Sequence, residues 1–234
     1  MSTFNIYVAS YNRSEKTIVH KLLEYCTFVV RKSEEEAYKS KGIESVWAID
    51  DEKINSFSKV HNYLIENAPE DVICVLDDDF AHFRYSMDRN LPIKDIVTPT
   101  REIERLAQIL FDLGIGLLGS RITSSPLNYN AEFHFSGMIG PIRFYNRNVI
   151  KARYNHMRFF TDTDFVLQEL LLNRIILRPD YFTSDAQIET NKGGMNIRRT
   201  RDIQLKLAEE MKQKWGKYFS YQKWNNVSKV LVKR

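Results

Sequence analysis

Short apolar runs rich in β-branched and aromatic residues alternate with helix-period segments over the first third of the chain, a pattern that predicts a parallel sheet covered by helices. Four runs read as strands: Phe4 to Ala9, Cys26 to Val30, Ser45 to Ile49 and Val72 to Leu76. Between them the periodicity predicts helices over Glu15 to Glu24, Glu34 to Ser40 and Ile54 to Asn67. Ser33-Glu34-Glu35-Glu36 has the form of a capping box, Gly42 follows the second helix and Pro69 ends the third.

Further along, a helix is expected from Thr98-Pro99, with Thr98 as N-cap, to Gly114, and the strand-like Ile115 to Ser120 follows it. The stretch from Ala131 to Tyr145 is aromatic with glycine punctuation, as in strands that meet a ligand or another backbone closely. Phe165 to Asn173 reads as a helix, Ile175 to Leu177 as a strand and Asp202 to Trp215 as a last helix. The expected fold class is α/β, a Rossmann-type mixed sheet with helices on both faces.

A chain of 234 residues, 43% of them hydrophobic, can bury a sizeable core as one catalytic unit. Its two cysteines, Cys26 and Cys74, lie in apolar runs and read as buried thiols of a reducing compartment, so a cytoplasmic location is expected. No apolar stretch approaches the roughly 18 to 20 residues of a membrane span, and the opening residues lack the pattern of a signal peptide. The net charge of +4 is unevenly placed: from Lys192 onward there are 12 Lys/Arg against 3 Asp/Glu. That asymmetry points to a polyanionic partner or to a solvated helical face.

In an open α/β sheet, ligands bind beyond the carboxyl ends of the strands. After the first strand come Ser10, Tyr11, Asn12 and Arg13, groups suited to stacking on and hydrogen-bonding a nucleotide, although such turns also carry Ser and Asn for capping alone. The fourth strand runs directly into Asp77-Asp78-Asp79-Phe80. Three carboxylates there repel one another without a cation, and hard oxygens at alternate positions can reach Mg²⁺ or Mn²⁺ that also binds phosphate. A haloacid-dehalogenase-type phosphatase would continue with a threonine where Phe80 and Ala81 stand, and a metal-dependent nuclease would leave the first-strand turn unexplained.

Thr161-Asp162-Thr163-Asp164 precedes an apolar helical run, where carboxylates either cap a helix or supply a general base for displacement at a sugar carbon. Asn191-Lys192-Gly193-Gly194 offers a turn able to close over a diphosphate, or simply a loop. His134 and Ser136 are candidates for the acceptor site, with a hydrogen-bonded core role as the alternative for the histidine. His20, His82 and His156 show no metal-ligand spacing, and there is no CxxC or HExxH.

The order of VASYNR, HKLL, VVRKSEEEAY, VLDDDF, TDTDF and NKGGM resembles the TET/JBP-associated glycosyltransferases, GT-A-fold enzymes encoded largely by phages, over about residues 4 to 196. The resemblance implies a GT-A-like domain over 1–197, with 198–234 a basic helical extension packed on it. It implies transfer from a UDP-sugar, with Mn²⁺ or Mg²⁺, to the hydroxyl of a 5-hydroxymethylated pyrimidine in DNA, 5-hydroxymethylcytosine first, in the host cytoplasm. In that reading Asp77 and Asp79 take the DxD metal positions. Ser10, Tyr11, Asn12, Arg13, Asn62, Asp77, Asp78, Lys192, Gly193 and Gly194 bind the donor.

The resemblance makes Asp162 the first choice for an inverting base and Asp164 the second, although Thr161 stands where Glu is usual and His61 where related sequences tend to have Arg. Arg198, Arg199 and Arg201, with Lys206, Lys212, Lys214 and Lys217, are expected on DNA phosphates, and Trp215, Tyr218, Phe219, Tyr221 and Trp224 as stacking groups. No protein partner is implied. A glycan, lipid or protein acceptor, and a silent DNA-binding module on the same fold, are the competing readings.

Overall fold

The computed structural model describes residues 3–87, 89–122, 125, 127, 129–155, 159–186, 201–224 and 227–233. A six-stranded sheet organises them. Its strands are β1 (Phe4–Ala9), β2 (Thr27–Arg31), β3 (Val46–Ile49), β4 (Val72–Asp77), β7 (Leu117–Gly119) and β9 (Ile142–Asn146) in the order β3-β2-β1-β4-β9-β7. The first four are parallel, as the alternation of runs and helices predicts, while β9 lies antiparallel to both its neighbours.

The strand residues divide strictly by face, following the two-residue side-chain period. Ile6, Val8, Phe28, Cys74, Leu76 and Phe144 pack into one core, and Tyr7, Val29, Ile73, Val75 and Tyr145 into another. The first core is covered by Tyr38 from α1 (Glu35–Lys39) and by Ile103, Leu106 and Leu110 from α3 (Val97–Asp112). The second is covered by Val60 and Leu64 from α2 (Phe57–Asn67) and by Phe165, Val166 and Leu170 from α4 (Thr161–Leu172). Helices thus lie on both faces, and β4 is buried on both.

Local structure departs from the sequence expectation where tertiary contacts compete. Residues 15–24 form only a single 3-10 turn at Val19–Lys21, because the Arg13 carbonyl ties down the amides of Lys16 and Thr17 and Thr100 Oγ1 takes the Glu24 amide. Ser33 makes no capping box; its amide and hydroxyl both donate to Asp51. Asp95, rather than Thr98, caps α3 by accepting from the Thr98 amide at 2.6 Å. The expected strand near Ile175 reduces to a bridge between Leu118 and Leu177, and β10 (Arg178–Pro179) pairs with β8 (Phe133–His134).

A second, antiparallel sheet of β5 (Phe80–Ser86), β6 (Asn90–Pro92) and β11 (Phe182–Ala186) follows the acidic run directly. The last segment is helical through α5 (Arg201–Trp215) and a 3-10 turn at Gly216–Tyr218; a hairpin of β12 (Phe219–Gln222) and β13 (Val227–Val230) comes after it. Among the described residues no helix is long and apolar enough to cross a membrane, and both cysteines are free thiols, Cys74 buried and Cys26 half-buried.

Candidate functional site

Parallel pairing brings the ends of β1 and β4 side by side, with Ala9 in register with Asp77. The turn after β1 therefore meets the acidic run. Ser10 Oγ donates to Asp78 Oδ2 at 2.7 Å and shares a 2.6 Å hydrogen bond with the Tyr38 hydroxyl, which also accepts from the Arg13 amide. Asn12 turns the chain at φ +54°, a conformation asparagine tolerates better than most residues, and its amide donates to Glu34. That turn aims Arg13 back, with Nη1 3.3 Å from Asp78 Oδ1 and 3.5 Å from Asp79 Oδ2. Tyr11 is 52% exposed, and the Arg31 guanidinium lies 3.9 Å from its ring centre.

Burial pushes the Asp78 carboxyl up to about 6, with Asp79 and Asp77 adding to the effect and Ser10 and Arg13 opposing it. Asp77 is likewise pushed up by burial, against the pull of Arg143. Arg143 was not among the expected site residues. It comes from β9, opposite Val75, on the face of the sheet that Asp77 also uses. Its Nη1 lies 2.9 Å from Asp77 Oδ1 and its Nε 3.5 Å from Asp162 Oδ1. The guanidinium joins the fourth strand to the start of α4.

An aromatic cage supports that arginine. The Phe57 ring lies 5.2 Å from its guanidinium carbon, and behind it the Tyr145 hydroxyl bridges His61 Nδ1 and the Tyr154 hydroxyl, each at 2.9 Å. His61 is fully buried and desolvation holds it well below the usual histidine range, so it is a neutral member of the cage. Asn62, expected at the donor, is used elsewhere: its amide donates to the Tyr154 carbonyl and accepts from the Tyr154 amide, both at 2.8 Å.

The two acids of α4 have unlike surroundings, because residues two apart on a helix project roughly 200° apart. Asp162 faces Arg143; its Oδ1 is buried with no hydrogen-bond partner among the described residues. Asp164 is fully buried and accepts from four donors: Asn155 Nδ2, Gln168 Nε2, Lys214 Nζ and Trp215 Nε1, at 2.5 to 2.7 Å. Both oxygens of Asp164 are thus engaged by the protein's own donors.

The remaining expected residues are placed less closely. His134 sits on β8 with Nε2 2.8 Å from Asn130 Oδ1 and 3.2 Å from Asp180 Oδ2, the hydrogen-bonded alternative rather than an open acceptor contact. Ser136 is half-buried, and no described hydrogen bond or ion pair joins it or His134 to the acidic cluster. Arg201 is exposed at the start of α5, whereas Lys192, Gly193, Gly194, Arg198 and Arg199 lie outside the described residues. Three of the aromatic groups expected to stack on nucleic acid instead face inward: Trp215 on Asp164, Phe219 at 3% exposure, and Tyr221 against Phe160. Tyr218 and Trp224 are exposed.

A divalent metal fits the donor set. Among the described residues no three His, Cys, Asp or Glu side chains converge as a complete cage. Mg²⁺-type ions are commonly held by one or two carboxylates plus substrate phosphates, and Asp77 and Asp79 at the strand end supply that many.

Neither a protein-family model nor a curated protein sequence matches the chain. Solved structures do resemble it. A mannosyltransferase from Pyrobaculum calidifontis in complex with GDP-Man and Mn²⁺ superposes with a TM-score of 0.54 at 11% identity, covering 90% of this chain and 64% of the other. A mycobacterial protein gives 0.53 at 8% identity, covering 97% and 83%. Glucosyl-3-phosphoglycerate synthase from Mycobacterium tuberculosis, in complex with Mn²⁺, UDP-glucose and phosphoglyceric acid, gives 0.50 at 10%, covering 84% and 76%. At such identities the likeness is one of architecture, and the chain has the mixed α/β, GT-A-like fold that these sugar transferases carry.

Proposed function

We propose that the protein is a metal-dependent glycosyltransferase that moves a sugar from a UDP-sugar to the hydroxyl of a 5-hydroxymethylated pyrimidine in DNA, 5-hydroxymethylcytosine first. The observation that carries the transferase reading is the Asp77–Arg143–Asp162 array beside the Ser10–Arg13 turn. Asp162, 33% exposed and ion-paired with Arg143 rather than hydrogen-bonded, faces the strand end where a sugar-nucleotide is expected, as a general base would.

Asp77 and Asp79 would hold Mn²⁺ or Mg²⁺, and such an ion would offset the charge of the diphosphate. Tyr11 offers a stacking face for the base, and Ser10 and Arg13 fix the conformation of the acidic run. Asp162 accepts the proton of the acceptor hydroxyl as its oxygen bonds to the anomeric carbon and the bond from that carbon to the diphosphate oxygen breaks. A single displacement of this kind inverts the anomeric centre. Arg143 keeps the base and the donor-side carboxylate in one frame.

The DNA acceptor is supported by the motif order that resembles the TET/JBP-associated family and by the basic charge after Lys192, including Arg198, Arg199 and Arg201. The 5-substituent of a pyrimidine projects into the major groove, so the hydroxyl is reachable without extruding the base. Free thiols at Cys26 and Cys74 fit a reducing, cytoplasmic setting. Incubating 5-hydroxymethylcytosine DNA with the protein, Mn²⁺ and a panel of UDP-sugars, then analysing the nucleosides by mass spectrometry, tests the reading. A hexose or pentose adduct supports it and identifies the donor; metal-dependent UDP release without any adduct moves the acceptor to a glycan, lipid or protein.

A further inference from the structure

The inward-facing part of the basic tail has a consequence for catalysis. Lys214 Nζ and Trp215 Nε1 both donate to Asp164 Oδ1, at 2.6 and 2.7 Å, from the end of α5. The hairpin after α5 engages the same turn of α4: Thr163 Oγ1 and Ser228 Oγ lie 3.1 Å apart, and Leu167 is buried with Met211 and Phe219. Phe160, immediately before α4, is held at φ +60°, a left-handed conformation that a bulky side chain rarely adopts. Its ring is wedged edge-on against Phe219 and Tyr221, 5.6 and 5.3 Å away, and its carbonyl accepts from the Asp164 amide. Every one of these contacts falls within two turns of Asp162.

We infer that the C-terminal segment is a clamp on the first turn of α4, and that Lys214 and Trp215, acting through Asp164, are positioning residues that hold Asp162 against Arg143. The inference rests on the reading of Asp162 as the base. It also pairs part of the tail's positive charge with a buried carboxylate of the protein itself: Lys214 neutralises Asp164, which is otherwise surrounded by neutral donors. Removing Lys214 leaves that carboxylate buried and uncompensated, whereas removing only the indole N–H deletes one donor and keeps the packing. A general base displaced by about 1 Å from its productive place loses on the order of 10²-fold in rate with little change in donor binding.

Lys214→Met, Lys214→Arg and Trp215→Phe, made in the full chain, separate positioning from bulk stability. Hydrogen exchange at the amides of residues 161–166 reports the clamp, and the kcat and KM of Mn²⁺-dependent UDP release, with the UDP-sugar that the wild-type protein turns over, report its effect. The expected result for Lys214→Met and Trp215→Phe is at least tenfold faster exchange in that turn and at least a tenfold lower kcat with KM within twofold. Lys214→Arg restores both. Faster exchange with unchanged kcat overturns the positioning role and leaves a structural one, and unchanged exchange overturns the clamp itself. An Asp162→Asn enzyme that still releases UDP at the normal rate removes the base reading instead, whatever the exchange shows.

Discussion

Arg143→Met takes one guanidinium from between two carboxylates and leaves both acids where they are. With Nη1 2.9 Å from Asp77 and Nε 3.5 Å from Asp162, Coulomb attraction at an effective dielectric of about 20 is roughly 6 and 5 kcal/mol. Desolvation of the three groups, several kcal/mol each, offsets most of that in the native protein. In the variant the desolvation remains and the attraction is gone, so the expected loss of stability is about 3 to 5 kcal/mol. For a domain of this size each kcal/mol moves the midpoint by about 2–4 °C, which makes the shift roughly 6 to 20 °C by circular dichroism.

The deficit also depends on pH. Asp77 is already pushed up by burial, and without Arg143 it rises further. The folded protein then binds more protons than the unfolded chain above the ordinary carboxylate value of about 3.9. Stability of the variant relative to wild type therefore falls as pH rises from there through the raised value, and recovers towards acid. A cycle combining Arg143→Met with Asp162→Asn isolates the pair, and a coupling of at least about 0.5 kcal/mol is expected for residues in one network. A loss under about 1 kcal/mol, a pH-independent deficit, or additive single effects would refute the argument that this arginine joins strand and helix.

Three further outcomes follow from the site. Asp79→Ala removes one of the two carboxylates proposed to hold the metal and is expected to abolish Mn²⁺-dependent UDP release; a normal Mn²⁺ titration of turnover contradicts this. Asp162→Asn is expected to lower transfer by roughly 10²- to 10⁴-fold, the usual contribution of a general base, while the affinity for UDP measured by calorimetry is kept. Tyr11→Ala deletes the exposed ring under Arg31 and is expected to weaken UDP binding by about tenfold, of the order of one stacking or cation–π contact; undiminished affinity places the base elsewhere.

The parallel core was legible because its determinants are local. A run such as Val72 to Leu76 has nowhere to go but a strand buried on both faces, and three acids directly after it lie at the carboxyl edge in any such sheet. The second sheet was not legible, since Phe80–Ser86 acquires its main partner from Phe182–Ala186, about a hundred residues away. Arg143 had one signal, a lone charge inside the apolar Ile142–Tyr145 run, but its meaning depends on Asp77, 66 positions earlier.

By itself the sequence determined the α/β class, the strand-end acids and the pair of aspartates opening α4, because each follows from side-chain period or from charge repulsion within a few residues. The tertiary structure decided what surrounds each aspartate. Asp162 and Asp164 share a helix turn, a residue type and a dipole, so no local rule separates them. They differ only in what the fold sets opposite each: Arg143 from the sheet on one side, Lys214 and Trp215 from the end of the chain on the other. The same packing turned Trp215, Phe219 and Tyr221 inward, since apolar rings bind more favourably to a buried helix face than they stand in water.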